Sequence, residues 1–239
     1  MKIIKIVLLF IIIAVCSFII TPSSPESITK YPEENQIYGD FINTEQVTSK
    51  NRRPFLVIID AGHGGIEKGA PESTINEKDL NLAIALKLKD LLSKNDIKVI
   101  LTRERDVNVG LIQRTELANK SKADLFVSIH HNWFLDKKIN GTMTLYYPYS
   151  NNIPDSKLNS KRFAIIVNET LVNNLKTKDL GIIPRKDLVV LKYTSMPAIL
   201  VEIGYLSNNH DRSMILSKGF VDLTAKSLCS GIIKVLNEL

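Results

Sequence analysis

The stretch Ile58 to Gly65, IIDAGHGG, ends an apolar run on a histidine set among three glycines, in a chain that has four histidines in all. A histidine in so open a turn suits two roles. It can be a metal ligand with room around it for substrate, or an imidazole carried by a turn whose Gly62, Gly64 and Gly65 supply positive φ angles. The glycines could also form an anion-binding nest of backbone amides, a weak signal where no Gly-Lys-Ser/Thr is nearby. Three further segments end in, or carry, residues able to do chemistry. ADLFVSIHHN (123–132) carries His130 and His131, and PAILVEIGYLSN (197–208) sets Glu202 between apolar neighbours. An unpaired carboxylate is costly to bury there, which argues for a purpose. Glu77 falls in the first turn of an expected helix, where a glutamate ordinarily serves as a cap or dipole partner.

The elements that must position these residues follow from periodicity. FLVIID (55–60) is a short β-branched run of the kind that forms a strand buried on both faces. In TINEKDLNLAIALKLKDLLSK, Asn76 can cap a helix with Leu80, Ala83, Ile84, Leu88 and Leu91 on one face. The segments 97–103, 123–132, 141–148, 187–193 and 197–208 read as strands, and 110–121 as a helix. A helix over 161–175 turns Phe163, Ile166, Val167 and Leu171 inward, and one over 220–236 repeats Phe220, Leu223, Thr224, Leu228, Ile232 and Val235. Strands alternating with helices predict one α/β domain, a mostly parallel twisted sheet with helices on both faces. Ligands bind beyond the carboxyl ends of strands in such sheets. His63, His130 and Glu202 therefore share one rim, and Glu77 can lean over it from the helix. Two imidazoles and a carboxylate make a three-ligand zinc site with a fourth position for water, and another glutamate beside that water completes a hydrolytic centre. His130 and His131 point to opposite faces of their strand, so only one serves, and the pattern alone does not choose between them.

At 239 residues, 44% hydrophobic and 23% charged, the chain suits one sizeable globular domain. A net charge of +6 fits a polyanionic neighbour such as nucleic acid, anionic lipid or an acidic wall polymer. Its basic residues are scattered, without a Lys/Arg run or an aromatic-interleaved patch, which argues against nucleic-acid binding. Cys16 and Cys229 sit in an apolar run and a helical pattern, poor partners for a disulfide. MKIIKIVLLFIIIAVCSFII places Lys2 and Lys5 ahead of apolar residues 6–20, the form of a signal peptide or membrane anchor over 1–20. No A-x-A pattern follows Ile20, which favours an uncleaved anchor, and the protein is expected to work outside the cytoplasm. Residues 21–53, rich in Pro, Ser and charge, read as a flexible linker, leaving 54–239 as the folded domain. With no wall-binding repeats, engagement of a wall would fall to the tether or to an activating protein partner.

DAGHGG, NEKDLNLAIA, LTRERD, DLFVSIHHN and MPAILVEIGYLSN, in that order, resemble the successive motifs of the zinc-dependent N-acetylmuramoyl-L-alanine amidases of the Amidase_3 type. The resemblance runs from about Phe55 to the C-terminus. It implies that His63, Glu77 and His130 bind Zn²⁺ and that Glu202 is the catalytic carboxylate. It also implies cleavage of the amide between the lactyl group of N-acetylmuramic acid and L-alanine in peptidoglycan. His131 departs from the small residue that many relatives carry after the liganding histidine. Asp60 is a candidate to orient His63 or to cap its strand end. Arg103 and Arg114 are candidates for ion pairing or for contact with the substrate peptide. The compact architecture is similar to the germination-specific amidases of endospore formers, which implies a role in spore cortex maturation, in the space between the spore membranes. A zinc peptidase cutting within the stem peptide, a vegetative wall amidase and a wall-binding scaffold with a vestigial site are the rival readings.

Overall fold

In β1 (Leu56–Ala61), Val57, Ile58 and Ile59 are fully buried, as expected of a strand covered on both sides. The computed structural model describes residues 53–71, 75–149 and 158–239. The expected anchor over 1–20, and the linker over 21–53 apart from its last residue, lie outside them. Five further strands join β1: β2 (Lys98–Leu101), β3 (Leu125–Asn132), β4 (Thr142–Tyr146), β5 (Asp179–Pro184) and β6 (Ala198–Tyr205), in the order β2-β1-β3-β6-β4-β5. The strands β2, β1, β3 and β6 are parallel, whereas β4 runs antiparallel to β6 and carries β5 parallel to itself. The mostly parallel sheet expected from the alternation is therefore present, with a reversed pair at one edge.

The helices are α1 (Glu77–Ser93), α2 (Leu111–Ser121), α3 (Ser160–Leu175), α4 (Val189–Lys192), α5 (Asn209–Ile215) and α6 (Phe220–Leu236). Period-two alternation divides the sheet between two cores. Val57 and Ile59 of β1, Val127 and Ile129 of β3 and Val201 and Ile203 of β6 pack with Ile84 and Leu88 of α1, Phe163 of α3 and Leu228 of α6. Ile58, Phe126 and Leu200 face the other way, against Ala118 of α2 and Val190 of α4. Each such side chain contributes about 1.5–3 kcal/mol on burial, so strand register is strongly specified. The register sets His130 of β3 beside Glu202 of β6. Among the described residues no helix is long and apolar enough to cross a membrane. Cys229 is buried in α6, and burial pushes its thiol up to about 11, away from reactivity.

Several expectations need correction. The segment 187–193, expected as a strand, holds the short helix α4, because the apolar run VVL is too brief to distinguish the two. The strand at this edge is β5, whose Gly181 and Pro184 read locally as turn residues. The helix α5 went unanticipated in a polar stretch. Asn76 stands at the N-cap of α1, but its side chain accepts no cap hydrogen bond; its amide donates to Asp79 Oδ2 at 2.8 Å. The buried face of α1 is Ile84, Ala85, Leu88 and Leu92, and Ala83 is exposed.

Candidate active site

Three carboxyl-terminal strand ends and one helix start meet at a single rim. The chain leaving β1 turns through Gly62 into His63, while β3 and β6 bring His130 and Glu202, and Glu77 opens α1 from the other side of the sheet. His63 Nε2 lies 3.3 Å from Glu77 Oε2, and His130 Nδ1 lies 3.0 Å from Glu77 Oε1. The two imidazoles meet edge to face at 4.9 Å. One ligand atom from each of the three residues lies within 4.8 Å of the others. Tetrahedral zinc with bonds of about 2.0–2.2 Å sets its ligand atoms about 3.3–3.6 Å apart, so the set is close to what such an ion requires. His63 keeps 30% of its side chain open to solvent and Glu77 only 4%, so the cluster is approached from the His63 side.

His63 adopts a φ of 60°, uncommon for a residue with a side chain, and Gly64 and Gly65 follow at 139° and 59°. Gly62 is not among the residues of positive φ; its requirement is space. A Cβ on Gly62 would stand 2.3 Å from the His130 ring. Gly62→Ala is therefore expected to push that ring aside and lower metal affinity at least about tenfold, the scale of a lost supporting contact. Titration of the purified variant with zinc checks this.

The turn is held from beneath by two buried arginines. Arg114 pairs with Asp60 Oδ1 at 2.5 Å and donates to the carbonyls of Ala61 and His63 at 2.8 and 2.9 Å. Arg103 donates to the carbonyls of Ala61, Gly62 and Lys78 at 2.9, 3.0 and 2.7 Å. Both are nearly inaccessible to solvent, so they fix backbone and do not meet substrate. The Asp60 carboxylate is taken up by Arg114, Thr102 and Ser128, not by the His63 ring. It accepts from Thr102 and Ser128, each at 2.7 Å, and reaches His63 only through Arg114. Burial pushes the Asp60 carboxyl up, but Arg114 and the two hydroxyls outweigh it and hold it below the ordinary range.

The two carboxylates of the site are driven apart. Burial raises Glu77, yet hydrogen bonding and charge from His130 and His63 prevail and keep it strongly ionised. Burial and the Glu77 charge together push Glu202 well above its usual value, against a smaller opposing pull from Arg185. Glu202 Oε2 is buried without a hydrogen-bond partner among the described residues. An orphaned carboxylate oxygen next to a His-Glu-His set fits a cation and water in the space between them.

His131 turns to the opposite face, as strand alternation requires, and lies outside the cluster. Its Nδ1 is 2.9 Å from Asn81 Oδ1, and burial pushes the imidazole down to about 4, keeping it neutral. Asn81 in turn donates to Glu77 Oε1 at 3.1 Å. Thr102 and Ser128 carry no local signal, their partner Asp60 lying 42 and 68 residues away; Asn81 stands one helical turn from Glu77, but its other partners, Gly62 and His131, lie 19 and 50 residues away.

Residues 57–234 match the Amidase_3 family, described as N-acetylmuramoyl-L-alanine amidase. The chain is 32% identical over 177 residues to N-acetylmuramoyl-L-alanine amidase LytC of Bacillus subtilis, a match covering 74% of this chain and 34% of that protein. It is 28% identical over 198 residues to the germination-specific N-acetylmuramoyl-L-alanine amidase of the same organism, covering 77% and 80%. Among solved structures it is similar to the CwlD amidase of Clostridioides difficile, determined in complex with the GerS lipoprotein, with a TM-score of 0.69, 33% identity and coverage of 77% and 99%. The catalytic domain of CwlV from Bacillus (Paenibacillus) polymyxa var. colistinus gives a TM-score of 0.70 at 34% identity, covering 77% and 99%. Sequence and fold thus agree over the same span that builds the rim, and the chain belongs to the Amidase_3 family of N-acetylmuramoyl-L-alanine amidases.

Proposed function

We propose that this amidase is zinc-dependent, with His63, Glu77 and His130 as ligands and Glu202 as the catalytic carboxylate, and that it cuts between N-acetylmuramic acid and L-alanine in peptidoglycan. The observation that carries the reading is the convergence of two imidazoles and a carboxylate within 4.8 Å, with Glu202 in register beside His130. Zinc bound there supplies Lewis acidity toward the amide carbonyl and acidifies water. Glu202 takes a proton from the attacking water as its oxygen joins the carbonyl carbon. It then delivers that proton to the alanine nitrogen as the C–N bond breaks, leaving a lactyl carboxylate and a free L-alanine amine. A carboxyl group whose affinity for protons is raised by burial is suited to both halves of that transfer. Glu77 stays ionised throughout, and the arginine-held turn keeps His63 in place.

Digestion of purified sacculi followed by mass spectrometry tests the bond specificity. Peptides beginning with L-alanine are the expected products; fragments cut within the stem peptide, with the lactyl amide intact, would assign the site to a peptidase.

The wider setting rests on relatives and on the N-terminal sequence. Residues 1–20 are the anchor or signal, 21–53 the tether and 54–239 the catalytic domain, which acts outside the cytoplasm. Similarity to the germination-specific amidase supports a role in spore cortex maturation, and the CwlD–GerS complex supports a requirement for a protein partner. In a spore former, deletion of the gene is expected to yield cortex lacking muramic lactam. A normal cortex with a cell-separation defect would place the enzyme in the vegetative wall, where similarity to LytC also points.

A further inference from the structure

We propose that His131 is a positioning residue: acting through Asn81, it fixes the carboxylate of Glu77 and the Gly62 turn in the arrangement the metal site uses. The inference rests on the zinc reading of His63, Glu77 and His130. Asn81 Nδ2 donates to Glu77 Oε1 at 3.1 Å and to the Gly62 carbonyl at 3.3 Å. Both are pure acceptors, so the amide can face them only with its nitrogen. Its oxygen is thereby turned toward His131 Nδ1, 2.9 Å away. An amide oxygen accepts, so His131 carries its proton on Nδ1, and Nε2 is left as a bare lone pair. That Nε2 is buried without a partner among the described residues, which is the configuration this tautomer leaves.

The same residue reaches Glu77 by a second path, because the His131 backbone amide donates to Glu77 Oε1 at 3.1 Å. Two of the donors on Oε1 thus depend on position 131, one on its backbone and one on its side chain. Removing the imidazole leaves Asn81 Oδ1 buried without its donor and the amide held from one side only. An Asn81 amide that shifts to find another donor gives up its hydrogen bonds to the Glu77 carboxylate and the Gly62 carbonyl. Gly62 runs so close to the His130 ring that a Cβ there would stand 2.3 Å from it, so a shift of the turn reaches a second ligand. Alternation along β3 explains the location: a liganding side chain at 130 obliges 131 to face α1, where Asn81 stands.

The test is zinc affinity of the purified chain, measured by competition with a chromophoric chelator, for wild type, His131→Phe and His131→Asn, with thermal midpoints of the metal-free forms. Phenylalanine keeps the ring volume but cannot donate; asparagine leaves a cavity but places an N–H where Nδ1 stood. The expected result is a loss of about 10- to 100-fold for His131→Phe and recovery to within about threefold of wild type for His131→Asn. Packing alone predicts the reverse order, because the cavity belongs to the asparagine variant. Asn81→Ala should match His131→Phe, and combining the two should add little further loss. Wild-type affinity in His131→Phe, or weaker binding by His131→Asn than by His131→Phe, overturns the proposal while leaving the metal site standing. Failure of the wild-type chain to bind zinc removes the metal site and this inference together.

Discussion

Glu202→Gln is expected to lower kcat roughly 100- to 10,000-fold, the range for removing a general acid–base group, while zinc affinity stays close to wild type. Glutamine keeps the shape of the side chain and can hydrogen bond, but its amide cannot take a proton from water and return it to a leaving amine. The pairing of β3 with β6 fixes Glu202 on its strand, so such a loss reports on the side chain rather than on a rearranged backbone. Single-turnover kinetics on a soluble muropeptide, with elemental analysis of the same preparation, separates the two effects. Parallel loss of zinc and activity would make Glu202 part of the binding set. The substitution is also expected to stabilise the metal-free chain at neutral pH. The Glu202 carboxyl is raised in the folded state, so the unfolded chain releases that proton first, and stability falls as pH rises above about 4.3 toward the folded value. Glu202→Gln removes that slope, which urea unfolding at a series of pH values reads directly. A carboxylate held at a cost to the fold would, in the proposed catalytic role, be the familiar trade between stability and activity.

Arg114→Met should destabilise the protein by about 3–5 kcal/mol, because it leaves Asp60 buried and charged without its cation. Thr102 and Ser128 would remain as donors, but two hydroxyls do not replace a guanidinium 2.5 Å away. The same substitution frees the carbonyls of Ala61 and His63, so the turn carrying His63 loosens as well. Asp60→Asn is expected to cost less, since Arg114 keeps its carbonyl partners. In wild type the depressed Asp60 carboxyl contributes stability present above about pH 3.9 and lost as pH falls below it toward the folded value. Both Asp60→Asn and Arg114→Met should flatten the acid limb of the stability curve. Equal stability of Arg114→Met and wild type would show that the turn is held by something other than this pair.

The parts of the site legible in sequence are those whose signal is local. Each polar residue ending a buried run, His63, His130 and Glu202, could be placed on one rim because parallel strands bring their carboxyl ends together. Glu77 needed only the start of α1. What escaped the sequence is what depends on pairs far apart along the chain. The roles of Asp60, Arg103 and Arg114 turn on hydrogen bonds spanning 25 to 68 residues, which no local pattern encodes. The choice between His130 and His131 needed the location of α1 relative to the sheet, and Asn81 needed the same. The errors of fold, α4 read as a strand and β5 overlooked, fall at the edge of the sheet, where burial is partial and a short apolar run does not declare its period.

Three side chains from separate segments, His63, Glu77 and His130, are expected to hold one ion. Elemental analysis of the purified wild-type chain and of a His63→Ala/His130→Ala double variant, with folding checked by circular dichroism, tests it most directly. The expected result is about one zinc per wild-type chain and none in the folded double variant. Equal zinc in both would contradict it.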